Sequence, residues 1–398
     1  QVGLDQVSAR MILVAVAISA AGLLFMGLAV GCPPTISSNS TLLLDVGGDL
    51  QETEPSGVLG QFIEAPPTVR ALVEALRKAS VDRRVSSVII RPTSTAALWG
   101  KVQEVRDAII AFKASKKPIV AYLEYGGDQS YYLASACDKV FLMPTASLDL
   151  TGMANYELFL RGALDKIGAF PDALHVGDYK TASNTFTEHS FTPSHREMAE
   201  SLNNDLYEQL ISGLAEGRHR TPAEMRALVD HGPYLAEDAV RAGLVDDLAY
   251  EDELDDKVAL GRGRATTIRQ HEYRGVGSGS LGLNRGPKIA VLHASGVITS
   301  GASNFDSPSG QVIGSDTMVE WLRKARADNS IRAIVLRIDS PGGSAVASDI
   351  IWREIMLTRD RKPVIASMSD VAASGGYYIA MPAHAIVAQP ATLTGSIG

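Results

Sequence analysis

The residues best suited to chemistry lie in SDVAASGGYYIA, residues 369–380, where Ser374 stands before two glycines. The pattern reads as a turn from a strand into a helix, where a nucleophilic serine meets backbone N–H groups able to hold an oxyanion. Acyl transfer is the chemistry this implies. It needs a base, because a serine hydroxyl is a weak nucleophile until its proton is taken. Asp370 is the one carboxylate close by in sequence. None of the eight histidines (His175, His189, His195, His219, His231, His271, His293 and His384) is paired with an aspartate in a triad-like pattern. Lys180 is the other candidate, the single lysine of HVGDYKTASNTFTEHSFTP, residues 175–193, a polar and turn-rich stretch. A lysine serving as base must be neutral, which burial against apolar neighbours favours. The plainer readings are a serine helix cap, glycine turns and a solvated lysine.

The elements that would position these residues come in two copies. ALVEALRKASVDRRVSSVIIRP (71–92) aligns without a gap with TMVEWLRKARADNSIRAIVLRI (317–338), an offset of 246 residues. KKPIVAYLEY (116–125) parallels RKPVIASMSD (361–370), and YYLASACDKVFLMP (131–144) parallels YYIAMPAHAIVAQP (377–390). A match that persists this far predicts a duplicated domain.

Each copy reads as strand, helix, strand, helix, strand, opening with TLLLDVGGDL (41–50) and KIAVLHASGVI (288–298). Short, nearly all-apolar runs such as RAIVLRI and KPVIASM suit strands buried on both faces. Their alternation with helices predicts an α/β fold with largely parallel pairing. Residues 153–260 carry helical signals: one helix over 195–218, one opening at Thr221 as N-cap, and a short one over 236–248. The glycine-rich, charged segment 261–287 lacks a period and reads as a linker. The expected plan is a leader over 1–40, an N-terminal repeat over 41–260 with its helical extension at 153–260, the linker, and a C-terminal repeat over 288–398. That last repeat stops at Gly398, the counterpart of Gly152, and the sequence opens without methionine, so a piece of a longer protein is expected.

The copies differ where chemistry would sit. IDSPGGSAVAS (338–348) faces PTSTAALWGKV (92–102), so Ala96 and Ala97 stand where the second copy has Gly342 and Gly343. Ser374 and Gly375 face Asp128 and Gln129. Paired glycines let a backbone approach a ligand closely and adopt positive φ. Serine and glycines present together in one copy, and missing together from the other, favour chemistry over simple turns. The N–H groups of Gly343 and Gly375 are the expected oxyanion donors.

The 398 residues, 45% of them hydrophobic, suffice for two or three domains. A net charge of −8 with no basic stripe argues against a nucleic-acid partner. Two cysteines, Cys32 and Cys137, make neither a disulfide framework nor a zinc site. No metal or cofactor motif is present, and Gly47–Gly48 lack the spacing of a phosphate loop. Residues 11–31, MILVAVAISAAGLLFMGLAVG, form an uncharged run about long enough to span a membrane. It reads either as an uncleaved anchor or as a lipoprotein-type signal ending at Cys32, in both cases a membrane tether.

DSPGGS (339–344), ASGGYYIA (373–380) with TLTGSIG after it, and VGDYKTA (176–182) together resemble the long, duplicated form of signal peptide peptidase A. The resemblance covers nearly the whole chain after the leader. It implies a tandem duplication of an α/β domain similar in fold to Clp protease and the crotonases. It further implies a membrane-anchored serine endopeptidase acting on the extracytoplasmic side, the periplasmic side of the inner membrane. The implied enzyme degrades cleaved signal peptides, forms homo-oligomers and uses no cofactor. By the same resemblance Ser374 is the nucleophile, Lys180 the general base that returns its proton to the leaving amine, and Gly343 and Gly375 bind the oxyanion. Short members of that family take their lysine from downstream of the serine in the same copy, which here falls beyond residue 398. A crotonase-like thioester enzyme and a non-catalytic membrane scaffold are the rival readings.

Overall fold

Two parallel sheets form where the β-branched apolar runs lie. The structure is a computed structural model and describes residues 36–53, 68–259, 265–306 and 310–397. The apolar run 11–31 and Cys32 lie outside the described residues. Among the described residues no helix is long and apolar enough to cross a membrane.

The N-terminal half contains β1 (Ser40–Gly48), α1 (Val69–Val81), β2 (Val85–Thr95), α2 (Trp99–Lys113), β3 (Ile119–Leu123), α3 (Asp128–Ala134) and β4 (Lys139–Leu142). After these come α4 (Pro193–Gly217), α5 (Pro222–Asp230), α6 (Ala236–Arg241), β5 (Asp247–Leu248), α7 (Leu254–Ala259), β6 (Thr266–Arg269) and α8 (Gln270–Arg274). The sheet runs β5-β4-β3-β2-β1-β6 with every pair parallel. Its central strands are mostly apolar because both faces are covered, whereas edge strand β6 is TTIR with one buried residue, Ile268. Leu42, Leu44, Val88 and Ile90 join the core with α1 and α2, while Leu43, Ile89, Val120, Tyr122 and Phe141 meet Leu254 and Val258 of α7.

The C-terminal half contains β7 (Lys288–Ser295), β8 (Val297–Thr299), β9 (Asn304–Asp306), β10 (Gly310–Gly314), α9 (Ser315–Ala327), β11 (Ile331–Ser340) and α10 (Ala345–Arg359). It continues with β12 (Val364–Ala373), α11 (Gly375–Ala380), β13 (Ala385–Val387) and β14 (Leu393–Gly395). Its sheet runs β7-β11-β12-β13, with β14 pairing the far end of β12, and all of these pairs are parallel. Strands β8, β10 and β9 form a small separate sheet. Ile289 and Val387, the counterparts of Leu43 and Phe141, are each 58% exposed, so among the described residues nothing covers the outer face of this sheet as α7 covers the first.

Two local readings of the sequence differ from the structure. Segment 261–287, expected as a linker, is folded onto the N-terminal half in its described part. β6 extends the sheet beside β1, Tyr273 is fully buried, and its hydroxyl donates to Asp82 at 3.1 Å. Four residues are too few to show a period, and the cavity that takes Tyr273 is built by residues far away in sequence. The helix expected over 236–248 stops at Arg241: Gly243 takes φ +69°, and Asp247–Leu248 pair with β4 instead. The two other helices begin as their caps dictate. Thr192 accepts from the His195 N–H, and Thr221 accepts from the Glu224 N–H.

Candidate active site

Strand β12 delivers Ser374 to the N-terminus of α11 in a backbone conformation that few side chains adopt, φ 51° and ψ −115°. Such a conformation costs on the order of 1–3 kcal/mol and persists only where neighbours over-determine it. Here the Ser374 N–H donates to the Gly395 carbonyl at 2.7 Å, and the Ser374 carbonyl accepts from Tyr378 N–H at 2.9 Å. On the adjacent strand β11 ends at Ser340, and the chain turns through Gly342 (φ +99°) and Gly343 (φ +149°). A Cβ on Gly342 would lie 2.6 Å from the Gly375 nitrogen and 2.8 Å from the Ser374 Cβ; one on Gly343 would lie 2.2 Å from the Ile298 carbonyl oxygen. Both positions therefore demand glycine. Strand β8 pins this loop: Ile298 N–H donates to the Gly342 carbonyl, and Ser344 N–H to the Ile298 carbonyl, both at 2.8 Å.

The two expected oxyanion donors are neighbours. A Cβ built on Gly375 would sit 3.3 Å from the Gly343 nitrogen. Among the described residues, no backbone carbonyl outside the helix and strand ladders accepts from either N–H. In the N-terminal half the counterpart of the Gly343 donor is used internally: Ala97 N–H donates to the Thr95 hydroxyl at 3.1 Å.

Lys180 reaches the same corner from the N-terminal half. Its Nζ donates to the Ser396 carbonyl and, at 3.2 Å, to the Ser396 hydroxyl. Gly395, the residue before, holds the Ser374 N–H. Lys180 and Ser374 thus converge on residues 395–396, but no hydrogen bond joins Lys180 Nζ to the Ser374 hydroxyl. Lys180 is half-buried, and its stretch is anchored by buried Thr181 and Asn184, while Val176 and Tyr179 are exposed.

The remaining polar residues act elsewhere. The Asp370 carboxylate caps α2 of the other half, accepting from Leu98 N–H at 2.8 Å and Lys101 N–H at 2.7 Å. Burial pushes its pKa up against the pull of those N–H groups and of the Lys101 charge. Lys101 Nζ lies 2.7 Å from Asp339 and 3.8 Å from Asp370. Beside them Arg337 donates to Glu52 at 2.8 and 2.9 Å and to Glu104 at 2.6 Å. Sequence reasoning passed over this cluster, although the repeat offered a signal. Lys101 faces Ala347, Asp339 faces Thr93 and Asp370 faces Tyr125, so these charges, like Ser374, occur once. His384 is structural: its Nδ1 accepts Val364 N–H at 3.1 Å, as its counterpart Asp138 accepts Ile119 N–H at 3.0 Å. His189 pairs with Asp165 at 3.2 Å. Among the described residues no cluster of side chains could hold a metal ion.

Comparison with known proteins agrees with the motifs. Residues 111–263 and 356–398 match Peptidase family S49. The chain is 38% identical to the chloroplastic serine protease SPPA of Arabidopsis thaliana over 333 residues, 82% of this chain and 49% of that protein. It is 32% identical to Protease 4 of Salmonella typhi over 388 residues, 91% of this chain and 62% of that protein. The chain thus spans about half to three-fifths of the length of these relatives. To the putative signal peptide peptidase SppA of Enterococcus faecium it is 34% identical over 255 residues, 64% of this chain and 72% of that protein. With its motifs, its parallel sheets and these relatives, the chain belongs to peptidase family S49.

Proposed function

We propose that the protein is a serine endopeptidase in which Ser374 attacks a peptide carbonyl and Lys180 takes the proton. The observation that carries this reading is the Ser374 turn itself: a strained, positive-φ serine beside the neighbouring nitrogens of Gly343 and Gly375. Those N–H groups would hold the oxyanion of the tetrahedral intermediate, a contribution of several kcal/mol where donors are fixed in advance. As the neutral amine, released from Ser396, Lys180 would receive the hydroxyl proton and pass it to the leaving amine, leaving an acyl-enzyme for water to cleave. The matching strand orders of the two sheets support a tandem pair of Clp protease/crotonase-like domains, 41–260 and 288–398, with the base in one and the nucleophile in the other. Cleaved signal peptides are the proposed substrates, a reading supported by the name of the Enterococcus faecium relative, a putative signal peptide peptidase. The run over 11–31 supports a membrane tether that keeps the catalytic part on the extracytoplasmic side, and a homo-oligomer completes the proposal.

Fluorophosphonate labelling of the full-length protein tests the reading. The expected result is a label on Ser374 that is lost in Ser374→Ala and slowed by about 1,000-fold or more in Lys180→Ala. A Lys180→Ala variant that labels at the parent rate would move the base elsewhere. A parent protein that does not label would remove the peptidase reading and bring the thioester and scaffold readings forward.

A further inference from the structure

We propose that Lys101 is a positioning residue for the Ser374 turn, holding Asp339 and Asp370 from across the boundary between the halves. The inference rests on the serine peptidase reading and extends it to a residue in the half that lacks the nucleophile. Asp339 precedes Ser340-Pro341-Gly342-Gly343, the oxyanion loop, by one residue, and Asp370 precedes Ser374 by four. Lys101 lies between the two carboxylates with its side chain 9% exposed, 2.7 Å from Asp339 and 3.8 Å from Asp370.

The contact falls where the β11–β12 ladder is irregular. Ile338 pairs with Met368, but Ser340 pairs with Ala372, so β12 carries two extra residues at this point. Bulges of this kind re-aim the chain and recur beside active sites. Asp370 lies within this bulge. The bulge is fixed from both sides: Asp339 accepts Val371 N–H at 3.2 Å, and Asp370 accepts the Leu98 N–H just before α2 and the Lys101 N–H in its first turn. At Gly100 a Cβ would meet the Ser369 carbonyl oxygen at 2.9 Å, so α2 can approach this closely only with glycine before Lys101. Burial alone would lower the Lys101 pKa, but the two aspartates, Asp339 foremost, keep the ammonium charged. Without that charge the two carboxylates would repel each other at the base of the loop and the turn. The gap between the Gly343 and Gly375 N–H groups would then change.

The test compares the full-length protein with Lys101→Met, Lys101→Arg, Asp339→Asn and the double variant Lys101→Met/Asp339→Asn, following fluorophosphonate labelling of Ser374 and thermal unfolding together. Lys101→Met is expected to slow the maximal labelling rate about 10- to 100-fold, the scale of a misplacement near 1 Å. Probe affinity should stay within about twofold, because Lys101 contacts Asp339 and Asp370 rather than Ser374. Lys101→Arg should recover part of the rate, and the double variant should be no slower than its slower parent, since both changes break one contact. Labelling of Lys101→Met at the parent rate per folded molecule overturns the proposal, as do losses that simply multiply in the double variant. If Lys101→Met does not fold, Asp339→Asn against Lys101→Arg is read by the same rate criterion. A parent protein that fails to label removes the peptidase reading itself, a result distinct from a labelled parent with unaffected variants.

Discussion

At Gly343 a single methyl group would be enough to disturb the site. Its φ of +149° and the 2.2 Å gap between an added Cβ and the Ile298 carbonyl leave no room for alanine unless the loop moves. Gly343→Ala is therefore expected to cut Ser374 labelling by about 100- to 1,000-fold, the usual cost of losing one oxyanion donor. Circular dichroism checks that the fold survives. The N-terminal half illustrates the opposite state, since Ala97, its counterpart residue, turns its N–H inward to the Thr95 hydroxyl. The serine and both glycines were legible in the sequence because the repeat supplied an internal comparison. Whether their N–H groups were free was not, since that depends on partners such as Ile298 that lie 45 residues from Gly343.

Among the elements, strands and helices with several turns announce themselves, and short ones do not. Pro193–Gly217 and Pro222–Asp230 carry threonine caps and proline in the first turn, so their starts could be read directly. Thr266–Arg269 has four residues, and it becomes a strand because β1 presents an open edge to it. The segment behind it then matters for stability. Tyr273→Ala should lower unfolding stability by about 3–5 kcal/mol, as for other fully buried aromatic residues. Denaturant unfolding measures it, and a loss under about 1 kcal/mol would return 265–287 to the status of a linker.

Across the whole molecule, the two halves are joined by a buried charge cluster rather than by apolar packing alone. Burial pushes the Glu52 pKa up, but the hydrogen bonds and charge of Arg337, with Ser369 and Lys101, bring it below the ordinary 4.5. A carboxyl depressed in the folded state contributes stability above its unfolded value, and this is lost as pH falls through the folded value. Asp370, raised by burial, runs the other way, so the Glu52 effect is best isolated by substitution. Glu52→Gln should cost about 1–3 kcal/mol near neutrality, because Arg337 keeps Glu104 but loses one of its two carboxylate partners. It should also flatten the fall in stability as pH drops below the ordinary 4.5. Melting temperatures of parent and variant on either side of that value decide it; parallel curves would mean that Glu52 is not held in its charged form by Arg337.

The alternation of strands and helices, the offset of 246 residues between similar segments, and the candidacy of Ser374 with its glycines could all be read from the order of amino acids. These follow from short-range physics: side-chain period, caps and the freedom of glycine backbones. That Asp370 faces the other half, that residues 266–274 fold onto the first sheet, and that Lys180 meets Ser396 depends on packing between distant segments. Each of those outcomes joins groups far apart in the chain, 272 residues for Asp370 with Leu98 and 216 for Lys180 with Ser396. Such pairs have no local signature, because their energy exists only once the halves have packed and water has been excluded between them.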